Sequence, residues 1–423
     1  MRTSSRREAL ALLGGPLVAG LASAWNARAD VGETLPPVRA ITRGPKHHWF
    51  AYYDKLQFDP TNRLVLGNEV AFEHRSPTAA DEIAVGHVDL SRDDQWTEIG
   101  TSHAWNWQQG CMLQWMPGDS PRVIWNDRGS NGDYVSHILD TSSGERRTLP
   151  SPIYALSPDG KSAIVTDFRR LNDVRPGYGY PGLPDPFRDE AAPERSGVWR
   201  VDLETGRREL IVSIATLFQF GDITDEMRRS KHWFNHLLYN TNGTRIVFLH
   251  RWATPEMGTK NRRTRMITAN VDGSDLFVLD PSGYTSHFVW RDERHILAWS
   301  RHRDQPGFYV FRDKSDVVEP VGAGILAQDG HCTFVPQTRE AWILSDTYPD
   351  RERKQHPYLF HPATSRKVPL GHFLSPAPYT GEWRCDTHPR TSRDGRFAVI
   401  DSPHGGTGRQ MHLIDLSGAL ASA

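Results

Sequence analysis

The chain has 423 residues, with 50 lysines and arginines against 51 acidic residues and a formal net charge of −1. That balance offers no basic stripe and speaks against a nucleic-acid partner. Three cysteines, Cys111, Cys332 and Cys385, are too few for a disulfide framework and read as small buried residues.

The chain opens with Ser5-Arg6-Arg7-Glu8-Ala9-Leu10 and an apolar stretch over residues 9–24. A twin arginine before a weakly apolar, Gly/Ala-containing run resembles a Tat export signal. The run is too short and too weakly apolar for a stable membrane span. Cleavage after Ala24 or Ala29 would leave a periplasmic or secreted protein. The expected division is therefore a signal at 1–29 and a folded part at 36–420.

Beyond that point the chain consists of short alternating runs punctuated by turns, with 29 prolines and 35 glycines. This is the pattern of many short strands. Seven strand–turn–strand units align, their inner strands beginning at Lys55, Met112, Ile153, His236, His287, His331 and His388. Several units continue to a third strand ending Val88-Asp89-Leu90, Val201-Asp202-Leu203 or Ile414-Asp415-Leu416. A repeat near fifty residues with three or four strands per unit predicts an all-β fold: a single-domain, seven-bladed β-propeller. The last unit runs out after its third strand. Residues 36–45 are expected to supply the fourth and close the ring, which removes the exposed edge. The longest insertion, 169–196, is rich in Pro, Gly and charge; a second, 218–231, precedes the fourth unit.

In this alignment four consecutive units place a histidine at the head of the inner strand, and inner strands line a propeller's channel. His236, His287, His331 and His388 should then meet at one mouth. Neutral imidazoles grouped this way suit a first-row divalent cation, and Gln328, three residues before His331, could add an oxygen ligand. Mn²⁺, Fe²⁺ and Zn²⁺ all fit such a donor set. Further polar residues near the strand ends are candidates to line a subsite: Tyr52, Tyr53, Asp54, Trp107, Gln109, Arg251, Asp346, Tyr348, Arg384, Asp386 and His404.

Four local patterns carry a resemblance. They are His236-Leu237-Leu238-Tyr239, Ser286-His287-Phe288-Val289-Trp290, the Gln328/His331 pair, and Thr387-His388-Pro389 leading to Ser392-Arg393-Asp394-Gly395. Together, over residues 195–420, they resemble the oligogalacturonate lyase family of polysaccharide lyases. The resemblance implies a seven-bladed propeller holding a divalent metal, Mn²⁺ first, with Zn²⁺, Fe²⁺ and Ca²⁺ as alternatives. It assigns His287, Gln328, His331 and His388 as metal ligands, His236 as catalytic base and Arg195 as electrostatic partner. The implied reaction is β-elimination on a uronate-containing oligo- or polysaccharide. A non-catalytic glycan- or protein-binding propeller is one rival. A glycoside hydrolase is another; it would need a carboxylate pair, for which Asp54, Asp167, Asp346 and Asp401 are the candidates.

Overall fold

The computed structural model describes residues 34–421 except Ala51; the twin-arginine stretch lies outside them. Seven four-stranded antiparallel sheets follow one another along the chain, as the repeat predicts. The second strand of each blade shows why: residues such as Arg245–Ala253 and Phe397–Ser402 are buried on nearly every position, as befits strands packed between two neighbouring sheets. Blade 7 is closed by the N-terminal strand Val38–Ala40, which pairs antiparallel with Gln410–Asp415, Val38 opposite Ile414. The three cysteines are free and buried. Among the described residues no helix is long and apolar enough to cross a membrane.

Blade 1 departs from the expected pattern. Lys55 does not begin a continuous inner strand. The innermost strand is His47–Trp49, and the chain rejoins the same sheet only through a bridge between Phe58 and Val65. Between these points the chain crosses the channel. The Tyr53 hydroxyl donates to the carbonyl of Phe288 in blade 5 and accepts from its N–H, each at 3.0 Å. Lys55 lies over the Tyr154 ring of blade 3, and the Leu56 carbonyl accepts from the Trp115 N–H of blade 2. The crossing segment divides the channel. On its far side a cavity of about 320 Å³ is lined by Lys55, Gln57, Pro158, Asn240, Trp290 and Arg393. On its near side lie the histidines.

Blade 7 anchors this crossing. Asp401 accepts from the Phe50 N–H at 3.3 Å and from both terminal nitrogens of Arg390 at 3.0 and 2.9 Å, while Arg390 Nε donates to Gln57 Oε1 at 2.9 Å. All of these groups are buried.

The insertion 169–196 is ordered. It opens with a helix, Phe168–Val174, whose first turn is capped by Asp167. Phe168 stacks on Tyr180 at 4.1 Å between ring centroids, and blade 2 holds Tyr180 through Asn126 Nδ2 (2.9 Å) and the Tyr134 hydroxyl (2.7 Å). The buried Arg170 ties the returning chain through Asp185 and the carbonyls of Phe187, Glu190 and Ala191. Between these anchors, Tyr178 reaches Arg384 in the segment leading to blade 7. The insertion is thus a strap across the histidine-bearing mouth.

Asp401→Ala removes the partner of a buried arginine and frees the crossing segment. It should lower the unfolding free energy by about 3–5 kcal/mol, read by urea denaturation. A loss below about 0.5 kcal/mol, the range of ordinary surface changes, would show that the anchor is not structural.

Candidate metal and active site

The four predicted histidines do converge, and all are buried. Ring centroids are 4.2 Å apart for His287 and His331, 4.2 Å for His331 and His388, and 6.2 Å for His236 and His287. His236 lies within the strand Lys231–Tyr239 at a bulge between Asn235 and Leu237, with φ at 59°. His388 has φ at 39° and Met112, its counterpart in blade 2, has φ at 56°. A left-handed non-glycine residue is strained by roughly 1–3 kcal/mol and is kept where it aims a side chain. Here it turns the side chain out of the ladder and into the channel, within the strand for His236 and just ahead of Arg390–Thr391 for His388.

Carboxylates fix the imidazoles. His287 Nδ1 donates to Asp329 at 2.8 Å, and His331 Nδ1 donates to Asp346 at 2.9 Å. Asp346 also accepts from the backbone N–H of His331 (2.7 Å) and of His388 (3.2 Å), and from the Thr387 hydroxyl (2.5 Å). Gly330 permits this approach, because a Cβ there would lie 2.0 Å from the Asp346 carbonyl oxygen. With Nδ1 protonated and held, each ring presents Nε2 as a lone pair, the usual support of a metal-bound histidine. Nε2 of His331 and of His388 is buried without a hydrogen-bond partner. The ligand atoms of His331, His388 and Asp386 all lie within 4.8 Å of one another. Orphaned imidazole nitrogens beside a carboxylate, with no thiolate, fit Mn²⁺, Fe²⁺ or Zn²⁺.

Electrostatics keep most of the ring neutral. Burial, then the neighbouring histidines, hold His236 and His388 well below the usual histidine range. Burial lowers His287 despite Asp329. Burial also opposes charge on His331, but Asp346 outweighs it and raises this histidine, while Asp346 itself is held low.

Two predicted residues are elsewhere. Gln328 is exposed and lines a separate depression with Thr347, His356 and Lys367. The next residue, Asp329, is the one that turns inward to His287, and Asp386 supplies the oxygen beside His331 and His388. Arg195 is exposed at the outer end of the strap, 5.0 Å from the Phe187 ring. The arginines that act on the ring are instead Arg251, Arg390 and Arg384, of which Arg390 is committed to Asp401.

Tyr52 stands over the ring, 4.7 Å from His236 and 5.2 Å from His388 between centroids. The Tyr53 hydroxyl is 3.1 Å from His236 Nε2. Burial holds both tyrosines well above the usual tyrosine range. Tyr348 packs 5.7 Å from His331, and Gln109 donates to the Tyr154 hydroxyl at 2.7 Å. Arg384 joins Asp386 (2.7 Å) to the Tyr178 hydroxyl (2.7 Å). Two of the proposed lining residues serve elsewhere: Trp107 packs against Trp49 and Trp105, and His404 against Phe373 and His412. Sequence reasoning overlooked Asp329, Arg175, Tyr178 and Arg262. The Asp329-Gly330-His331 spacing was a usable sign of the first; the strap residues carry none.

No family model matches the chain, and no curated protein matches it in sequence. Solved structures do match. An oligogalacturonate lyase in complex with manganese superposes with a TM-score of 0.63 at 14% identity, over 91% of this chain and 94% of that one. An oligogalacturonate lyase from Vibrio parahaemolyticus gives 0.61 at 13%, over 90% and 94%. The chain has the fold of oligogalacturonate lyase. The same propeller occurs with other activities: a puromycin-hydrolysing peptidase of Mycobacterium tuberculosis gives 0.52 at 14%, over 91% of this chain and 55% of that one. At these identities the likeness carries the fold, and the chemistry has to come from the site.

Tyr178 provides a check on the mouth's charge. Burial pushes its phenol up, but Arg175 and Arg384 outweigh this and bring it down to about 8. A folded-state value below the unfolded one adds stability that is complete above the ordinary tyrosine range, near 10, and is lost as pH falls through about 8. The unfolding free energy of Tyr178→Phe should therefore fall further behind wild type as pH rises across that window. A gap independent of pH would contradict the assignment.

Proposed function

We propose that the chain is an exported, metal-dependent lyase that cleaves a uronate-containing oligo- or polysaccharide by β-elimination. The observation that carries this reading is the buried histidine cluster: carboxylates hold the rings of His287 and His331, Nε2 of His331 and of His388 is orphaned, and Tyr53 holds His236 separately. His287, His331 and His388 would hold the cation, with Asp386 as the oxygen donor in place of Gln328. When bound, the cation supplies a Lewis acid for the carboxylate of the sugar to be cleaved, which makes the adjacent C5 proton more acidic.

The chain's own residues perform the rest. His236 is neutral and takes the C5 proton as general base. Tyr53 engages its Nε2, so Nδ1 is the nitrogen left for the transfer. As the C5–H bond breaks, the C4–C5 double bond forms and the C4–O bond breaks. Tyr52, protonated and 4.7 Å from the His236 ring, is placed to give its proton to the leaving oxygen. The strap and the crossing segment exclude water from both sides.

The rivals fit less well. A binding module would be expected to close its hydrogen bonds, whereas ring or guanidinium nitrogens of Arg251, His331 and His388 are left unsatisfied. For a hydrolase, the candidate carboxylates are committed: Asp401 to Arg390, Asp346 to His331, Asp167 to the helix cap and Arg169, and Asp54 to Lys55.

With Mn²⁺ present, a panel of uronate oligomers should yield the ultraviolet absorbance of an unsaturated uronate. His236→Ala should reduce turnover by about 100- to 10,000-fold while metal content is retained, and His331→Ala should lose the metal. Cleavage without the unsaturated product would point to hydrolysis and reject the proposal.

A further inference from the structure

The second concentration of charge at this mouth is arginine. Arg175 ends the strap helix, Arg251 lies on the second strand of blade 4, and Arg262 follows the single turn Thr259–Asn261. Tyr178 sits among them, with the Arg175 guanidinium 3.7 Å from its ring centre. Arg251 is 3% exposed, yet its Nε and Nη1 have no hydrogen-bond partner; Nε of Arg262 is likewise buried and unpartnered.

The other buried arginines are all satisfied. Arg170 pairs with Asp185, Arg245 with Asp313, Arg390 with Asp401 and Arg409 with Glu73, and Arg265 donates to His250 and to the carbonyls of Phe220 and Leu217. Burying a charge without a partner is strongly unfavourable, which is why buried arginines are normally paired. The groups acting on Arg251 are two further arginines, Arg262 and Arg175, and the hydroxyls of Tyr52 and Tyr178. Three neighbouring guanidinium groups without a carboxylate, with buried donors left free, are complementary to an oxyanion. Tyr52 joins this cluster to the histidine ring, because its own ring packs against His236.

We infer that Arg175, Arg251 and Arg262 form a second anion subsite, which takes a carboxylate or sulfate oxyanion on the sugar next to the one that is cleaved. The position of the subsite along a glycan rests on the lyase reading; the existence of the subsite does not. A substrate would then carry two anionic groups. The ring takes the one beside the reacting carbon, and the arginines take its neighbour's. A second uronate or a sulfated neutral sugar supplies the same chemistry.

The test has two parts. Calorimetric titration of the metal-loaded protein with sulfate, and separately with a free monouronate, reads the subsite directly. Arg262→Gln, at a half-buried position, should weaken oxyanion binding by about tenfold or more, the loss of a charge-assisted hydrogen bond, and Arg175→Gln should do the same. His331→Ala should leave sulfate binding in place, which separates the subsite from the metal. If sulfate and monouronate bind no better to wild type than to Arg262→Gln and Arg175→Gln, the inference is overturned.

The second part compares three oligomers by unsaturated product: a homouronate, an alternating uronate and neutral sugar, and an alternating uronate and sulfated sugar. Wild type should show a lower KM for an oligomer with an anionic neighbour, and Arg262→Gln should remove that preference. The better of the two anionic oligomers identifies the source of the oxyanion. Equal KM values for all three, unchanged in Arg262→Gln, would reject the subsite while leaving the lyase reading intact. If no oligomer gives product but oxyanion binding is still lost in Arg262→Gln, the lyase reading fails and the subsite stands.

Discussion

One buried carboxylate organises the histidine-bearing mouth. Asp346 receives hydrogen bonds from the backbone and ring of His331, from the Thr387 hydroxyl and from the backbone of His388. It thereby fixes the imidazole of His331 and the backbone of His388, from neighbouring blades, and it is charged because those donors surround it. A carboxylate buried this deeply is tolerated only with such a set of donors. The consequence is geometric: both rings present an unpartnered Nε2 toward the same point, beside Asp386. Everything chemical about the site follows from that convergence.

The propeller itself was legible because its causes are local. Period-two runs separated by Ser-Pro-Asp-Gly-type turns set each hairpin, and the spacing of hairpins sets the ring. The column of histidines was legible for the same reason, since equivalent positions in a repeat fall at equivalent heights. What could not be read were the contacts made across the channel. Lys55 looked like the head of an inner strand, but residues 52–56 leave the sheet to span the ring, held by Asp401 and Phe288 from other blades. No local pattern encodes that.

Gln328 and Arg195 fall away from the histidines for a related reason. Gln328 and Arg195 stand at the right distance in sequence from the motifs they accompany, but side-chain direction is decided by neighbours. Asp329 is drawn inward by His287, leaving Gln328 at the surface, and the strap carries Arg195 outward while it brings Arg175 and Tyr178 in. The strap was visible in sequence only as a polar, glycine-rich insertion. Its role depends on Arg170, Tyr180 and Tyr178 finding His232, Asn126 and Arg384 on three different parts of the ring. Ordering so long a segment is entropically unfavourable, and these buried contacts are what offset it.

The central claim is that the histidines form one cation site. It is tested most directly by a crystal structure of the protein grown with Mn²⁺, read by anomalous scattering. The account predicts a single strong peak bonded to Nε2 of His287, His331 and His388, with an Asp386 oxygen in the coordination sphere and Gln328 outside it. A peak elsewhere, or none at the ring with manganese in excess, would contradict it.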